Sequence, residues 1–425
     1  MLKENKTRLI QLALFLVTII TTTIAGSEWM HSKYLFFVDE AHIMSWNDFL
    51  NGFQFSIPFL LILSCHEFGH YFTARYHKVD VTLPFYIPLW LGFILSPSFG
   101  TMGAFIRIKD RISSTLHYFD IGIAGPLAGF VVAIGVIAYG YSHLPNPEYI
   151  YEIHPEYEQF GLDYADHVYT YEFSKQQHYE SYLESRKSDS VAFSAEGKPA
   201  AEWGYPDFEP MESYPNMYFS KPLLFQFVET YLVSDKYRIP NEQEIMHNPY
   251  LLAGLLALFF TALNLLPIGQ LDGGHVIFGL FGAKRAKKIS QILFTVFVFY
   301  AGLGIVDVSL MEDTTAGGLA SFLILLVAYM YFLNLCAFSM FENRKDRWTF
   351  AAVMLAAQFG VHTLFGISGY EGWLLFAIVL GRFIGIYHPP VRDDQPLSLS
   401  RQILGILALI IFIISFSPKP FVMEF

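Results

Sequence analysis

Charge is scarce in this chain. Asp, Glu, Lys and Arg make up 15% of its 425 residues, against 53% hydrophobic residues. Mean hydropathy is +0.38, which excludes a soluble enzyme carried by a single anchor and leaves a polytopic membrane protein. Cysteine is scarcer still. The two present, Cys65 and Cys336, both lie in apolar segments, so no disulfide framework is available. Aliphatic residues thin out between His154 and Pro215, which denies that region an ordinary core. Beyond residue 289 no constellation of ligating groups appears. That lack argues against a metal path threaded through many spans and leaves that half for scaffold, packing and substrate entry.

The charge that is present is unevenly placed. The net value of -11 belongs to one segment, since residues 144 to 247 hold 19 Asp and Glu against 7 Lys and Arg, while the rest of the chain holds 19 against 20. The membrane body is therefore close to neutral, and no nucleic-acid partner is expected; the lipid bilayer is.

Taken in order, residues 1-52 read as an uncleaved first span, apolar from 9 to 25, and a polar linker. A second span runs from Phe53 to Tyr76. From Leu83 to Ile108 the chain is apolar but broken by Pro84, Pro88, Pro97, Gly92, Gly100 and Gly103, which suits a re-entrant loop or hairpin packed on protein. Its tail, Gly103 to Ile108, has the makings of a strand edge for an extended peptide, with a structural plug as the equal alternative. A third span, Tyr118 to Tyr141, carries the small residues Gly122, Gly125 and Gly129, read as packing alone. Asp120 near its start is a surface residue or a partner to the site. The acidic insert, residues 142-248, reads as a compact aromatic-rich or partly disordered shield, with Lys221 to Leu232 an amphipathic stretch for the membrane surface and a substrate gate as the sharper alternative. A fourth span is expected from Tyr250 to Phe281, within residues 249-283, and five more within residues 284-425, at roughly 289 to 306, 317 to 341, 348 to 367, 371 to 387 and 401 to 417. Basic clusters fall at Arg75 to Arg111, Lys284 to Lys288, Arg344 to Arg347 and Arg382 to Arg401, and the intervening loops at Asp307 to Gly317 and around Ser368 to Glu371 carry no Lys or Arg. The pattern predicts an all-α protein of about nine transmembrane helices with its amino end inside.

Inside the second span stands His66-Glu67-Phe68-Gly69-His70. On a helix the two histidines share a face one turn apart and can grip one zinc, with Glu67 beside the open position to take a proton from the attacking water. Three titratable groups in hydrocarbon are costly, which favours function over packing. A third protein ligand is needed. Asp272, just past the proline and glycine break of Leu266 to Gly269 and near the same cytoplasmic end, completes a His, His, Asp set for one Zn2+ per chain. His275 reads as an interfacial histidine, with a role behind a metal ligand as the alternative.

HEFGH and NLLPIGQLDGG, in that order and on two spans, resemble the site-2 protease family of intramembrane zinc peptidases. GAFIRIKDR and IAGPLAG are similar to the branch shared by bacteria and plastids, which lacks PDZ modules. The resemblance covers about residues 53-141 and 247-283. It implies that His66, His70 and Asp272 bind zinc, that Glu67 activates water and that Asn264 holds the substrate backbone or oxyanion. It also implies membrane-anchored protein substrates cut within or beside their spans, and a place in a bacterial inner membrane with the site toward the cytoplasm. The acidic insert departs from that pattern. Two other classes stand beside this one: a membrane metal-binding or transport protein, which would need more ligands than the later spans offer, and a non-proteolytic homologue that binds membrane proteins, which would have lost one of these groups.

Overall fold

The computed structural model describes residues 2–36, 42–94, 98–195, 207–214, 216–307 and 316–424, and within them the protein is mostly helical with little sheet. The amino-terminal helix α1 (Leu2–His31) is followed by the short α2 (Trp46–Asn51) and the motif helix α3 (Phe53–Tyr76). Ser45 starts α2 with a capping box, its hydroxyl accepting from the Asp48 amide. α1 is held to its neighbours by polar side chains on one face. Thr22 meets Ser56 of α3 at 2.7 Å, Thr21 donates to the Gly100 carbonyl at 2.7 Å, and Trp29 donates to the Ser98 carbonyl at 2.8 Å.

The interrupted stretch after α3 is a hairpin. β1 (Phe85–Leu89) pairs antiparallel with β2 (Gly100–Phe105), Tyr86 opposite Ala104 and Pro88 opposite Thr101. Between those pairs β1 has one residue and β2 has two, Met102 and Gly103, so β2 bulges there. Gly103 supplies the φ of +108° that the bulge uses. Among the described residues β2 pairs with β1 alone.

α4 (Thr115–Ser142) packs along α3, and α8 (Pro249–Leu265) along both. Lipid offers helices no hydrophobic drive to associate, so close van der Waals fit has to do it. The fit is close: a Cβ on Gly69 would lie 2.6 Å from the Ala124 carbonyl oxygen. Phe55, Phe59, Ile137, Leu251, Leu252 and Leu256 fill the space between these helices. Asp120 neither faces solvent nor joins the motif. It accepts two bonds from Arg401, at 2.7 and 2.8 Å, and pairs with His77 at 2.9 Å, joining α4 to the end of α3 and to a distant helix. Asp120→Asn is expected to cost about 2 kcal/mol, the scale of hydrogen bonds to a charged group, read as a lower Tm in detergent with zinc content unchanged.

The insert is aromatic where it is ordered into turns. Helical turns at Pro147–Glu152 and Pro155–Asp163 lead to α5 (Ala165–Val168) and α6 (Tyr171–Ala195), and Ile150, Tyr157 and Val168 are buried among Tyr151, Phe160, Tyr164, Tyr169 and Phe173. β3 (Asn216–Phe219) leaves the insert to pair with β4 (Phe421–Glu424) at the far end of the chain. The amphipathic stretch forms α7 (Leu223–Tyr231), which buries Phe225 and anchors through Glu229 to Lys221 and to Tyr141 of α4, while Leu223, Phe227 and Tyr231 stay exposed.

The expected fourth span is broken. α8 ends at Leu265, six residues turn, and Asp272 opens α9 (Asp272–Ala301), which bends at Gly282 and runs on through the expected fifth span. α10 (Ala316–Cys336) and α11 (Arg344–Phe365) follow, then the short α12 (Leu374–Ile378) with a wide turn at Val379–Ile384 where the eighth span is expected, and finally α13 (Leu399–Ser415). Among the described residues, five helices are long and apolar enough to cross a membrane: Glu4–His31, Trp46–Tyr76, Thr115–Ser142, Gly318–Ser339 and Arg344–Phe365. The protein is an integral membrane protein of helical type.

Candidate metal centre

The 3.6-residue period of α3 puts His66 and His70 on the face turned toward α4 and α8, and both are buried. The turn between α8 and α9 then brings Asp272 to them. The His66 and His70 Nε2 atoms are 3.1 Å apart, and the Asp272 Oδ2 lies 3.6 Å from the first and 3.3 Å from the second. Ligands at 2.0–2.1 Å around a tetrahedral zinc sit about 3.3 Å from one another, so the triangle has the size such an ion requires. The tautomer is set as well. His70 Nδ1 faces the Ile121 carbonyl at 2.7 Å and donates to it, which leaves the Nε2 lone pair turned inward. Two imidazole nitrogens and one carboxylate converging at these distances suit zinc.

Backbone economy makes this approach possible. Gly273 follows Asp272 because a Cβ there would fall 1.9 Å from the Leu265 carbonyl oxygen, so only glycine lets the start of α9 fold back against the end of α8. On α4 the small residues face the histidines directly. A Cβ at Gly125 would stand 2.1 Å from His70 Nε2, and one at Gly129 would stand 3.1 Å from His66 Cβ.

Glu67 is buried beside this triangle, and a cavity of about 110 Å³ opens next to it, lined among others by His66, Glu67, Asn264 and Met102 to Ala104 of the β2 bulge. Asn264 Nδ2 is 3.4 Å from His66 Nε2, at the edge of the cluster. His66, Glu67, His70, Asp272 and Asn264 are therefore together. His275 stands apart. It packs against Tyr118 and His388, with ring centres 5.0 and 4.8 Å away, and its Cβ fills the space above Gly122. Sequence reasoning missed the service of Gly125 and Gly129 to the histidines. The signal was present: Gly122, Gly125 and Gly129 recur at helical spacing, as do the motif histidines.

A buried cluster of two imidazoles and one carboxylate beside a buried glutamate, set in an apolar helical bundle, defines a centre fit for hydrolytic metal chemistry. The chain belongs to peptidase family M50, whose family model matches residues 54–306. It is similar to the probable zinc metalloprotease EGY1, chloroplastic, of Oryza sativa subsp. japonica, at 26% identity over 223 residues, 52% of this chain and 27% of that protein. The Arabidopsis thaliana EGY1, also described as a probable chloroplastic zinc metalloprotease, is 23% identical over 221 residues, 52% of this chain and 28% of its own length. The EGY2 protein of Oryza sativa subsp. indica, described likewise, is 20% identical over 276 residues, 65% of this chain and 37% of its own length. The chain thus spans only 27 to 37% of the length of these curated relatives. No solved structure matches the chain.

Proposed function

We propose that this chain is an intramembrane zinc metalloprotease that hydrolyses peptide bonds within or beside the spans of membrane-anchored proteins. His66, His70 and Asp272 hold the zinc, Glu67 moves the proton, and Asn264 holds the substrate backbone or oxyanion. The observation that carries the reading is the triangle of ligand atoms at 3.1 to 3.6 Å with Glu67 lining the adjoining cavity. Zinc, when bound, supplies a Lewis acid and brings the pKa of a coordinated water to about 7. Glu67 accepts the proton as the peptide carbonyl is attacked and returns it to the departing amine.

One helical turn with its side chains, about 10 Å across and 5.4 Å long, fills roughly 400 Å³, so a cavity of about 110 Å³ cannot take an intact helix and a substrate span must unwind to reach it. The extended substrate lies along the edge of β2 at Met102 to Ala104, which line the same cavity. Membrane-anchored proteins that carry a helix-weakening residue near the cut are therefore the substrate class.

The chain crosses a bacterial inner membrane nine times, counting the broken fourth and eighth segments, with the centre toward the cytoplasm. Basic residues Arg75 and Lys78 at the end of α3, and Lys284 and Arg285 just past the bend of α9 at Gly282, support that orientation. The catalytic core is split into residues 53-141 and 249-283, between which residues 142-248 form a solvated shield on the other side. Residues 1-52 add the first span and residues 284-425 the supporting bundle.

The test is metal removal and return. The protein purified in detergent, stripped by a chelator and incubated with a tagged panel of single-span membrane proteins, is expected to lose cleavage and to regain it with added Zn2+. His70→Ala is expected to stay inactive after reloading. Cleavage that survives complete stripping would sink the proposal.

A further inference from the structure

A second convergence of ligating groups stands at the opposite end of α8. His247 and Glu244 lie on the turn that enters that helix, and His154 reaches them from the start of the acidic insert. The His154 and His247 Nε2 atoms are 3.3 Å apart. Glu244 Oε2 lies 3.1 Å from His247 Nε2 and 3.9 Å from His154 Nε2. These separations cluster around the same 3.3 Å or so expected of ligands on one tetrahedral zinc. From Asn248 to Asn264 the rise of α8 is roughly 25 Å, so this cluster is separate from the centre that holds Asp272.

The far nitrogens of both rings are already engaged. His247 Nδ1 donates to the Met30 carbonyl at 2.9 Å, and His154 Nδ1 faces the Glu156 carboxylate at 3.4 Å. An imidazole whose Nδ1–H is held by a carbonyl or carboxylate presents its Nε2 lone pair, the arrangement that orients metal-binding histidines. Here two such lone pairs point at one another and at a buried carboxylate, while the second Glu244 oxygen accepts from the Tyr169 hydroxyl. The side chains of Glu244 and His247 are almost wholly inaccessible, at 4% and 2%, and that of His154 is at 23%.

We propose that His154, Glu244 and His247 form a second zinc site, with three protein ligands and one open position, that clamps the acidic insert to the extracytoplasmic ends of α1 and α8. The clamp joins three segments distant in sequence: His154 belongs to the insert, Glu244 and His247 lead into α8, and the Met30 carbonyl ends α1. Two nitrogens and one carboxylate oxygen favour zinc over magnesium or calcium, which prefer all-oxygen shells. Three protein groups leave one position of a tetrahedral ion to water.

Zinc counting on the full chain in detergent tests the site. After loading with Zn2+ and removal of excess, the parent is expected to hold about two ions per chain. His66→Ala with His70→Ala is expected to keep one, and His154→Ala is expected to keep the other. The first of these variants, loaded with Co2+ instead, is expected to show visible absorption of a tetrahedral ion that disappears when His154→Ala is added. Should His154→Ala fail to fold, the His66→Ala, His70→Ala count decides alone. A parent with one zinc that the His66→Ala, His70→Ala change abolishes would overturn the proposal and leave the cluster as a hydrogen-bonded contact among Glu244, His247 and His154.

Discussion

Gly125→Ala is expected to remove the zinc next to Asp272 and all cleavage with it, while leaving the chain folded. The added methyl would lie 2.1 Å from His70 Nε2 and 2.5 Å from both the Cδ2 and Cε1 atoms, inside the ring's own volume. The ring has nowhere to go without loss, because its Nδ1 is fixed by the Ile121 carbonyl and its Nε2 faces Asp272 at 3.3 Å. Any shift large enough to relieve the overlap breaks one or both contacts. Loss of a partner that merely orients a ligand weakens metal binding by about 10- to 100-fold, and displacing the ligand itself is expected to exceed that. Alanine suits a helix better than glycine, by about 1 kcal/mol, so stability is not expected to collapse. Metal analysis is expected to read one ion per chain fewer than the parent, with the melting temperature little changed. A Gly125→Ala protein that retains its full zinc would show that His70 does not sit where this packing puts it.

The same position marks the boundary of what the chain reveals when read as a string. The histidine pair is legible because its spacing equals the pitch of a helix and because charge is expensive in hydrocarbon. Asp272 is legible from the need for a third ligand at matching depth, although not from its local structure: it opens a helix after a six-residue turn, and is not set within a continuous span. That turn depends on Gly273 lying against the Leu265 carbonyl, a tertiary contact that spacing alone does not disclose. The hairpin follows from its prolines and glycines, whereas the bulge at Met102 and Gly103 depends on pairing register. Gly125 and Gly129 read as packing residues because a missing side chain has no chemistry of its own. The two centres differ in the same way. His66 and His70 are four residues apart, but His154 and His247 are brought together from across the whole insert, and nothing local advertises that meeting.

Glu67→Gln separates the metal from the chemistry. Glutamine keeps the size and shape of the side chain, so the buried position beside the cavity is expected to be filled as before and the packing of α3 preserved. The three ligand atoms belong to other residues, and zinc content is expected to match the parent. Cleavage is expected to fall by about 10²- to 10⁴-fold, the range supplied by a positioned proton acceptor, because an amide cannot take the proton that a carboxylate takes. Substrate binding is expected to persist, so the variant should retain a single-span substrate in a pull-down while leaving it uncut. That combination distinguishes a peptidase from a binding protein with the same fold: a chain that only binds membrane proteins would behave identically with Glu67 or with glutamine in its place, and a transporter would lose flux with the ligands and not with Glu67. Retained zinc, retained substrate and lost hydrolysis together assign the proton to Glu67, whereas unchanged hydrolysis would require another base within reach of the cavity, and Asn264 and Thr261, the uncharged polar residues lining it, are too weakly basic to serve.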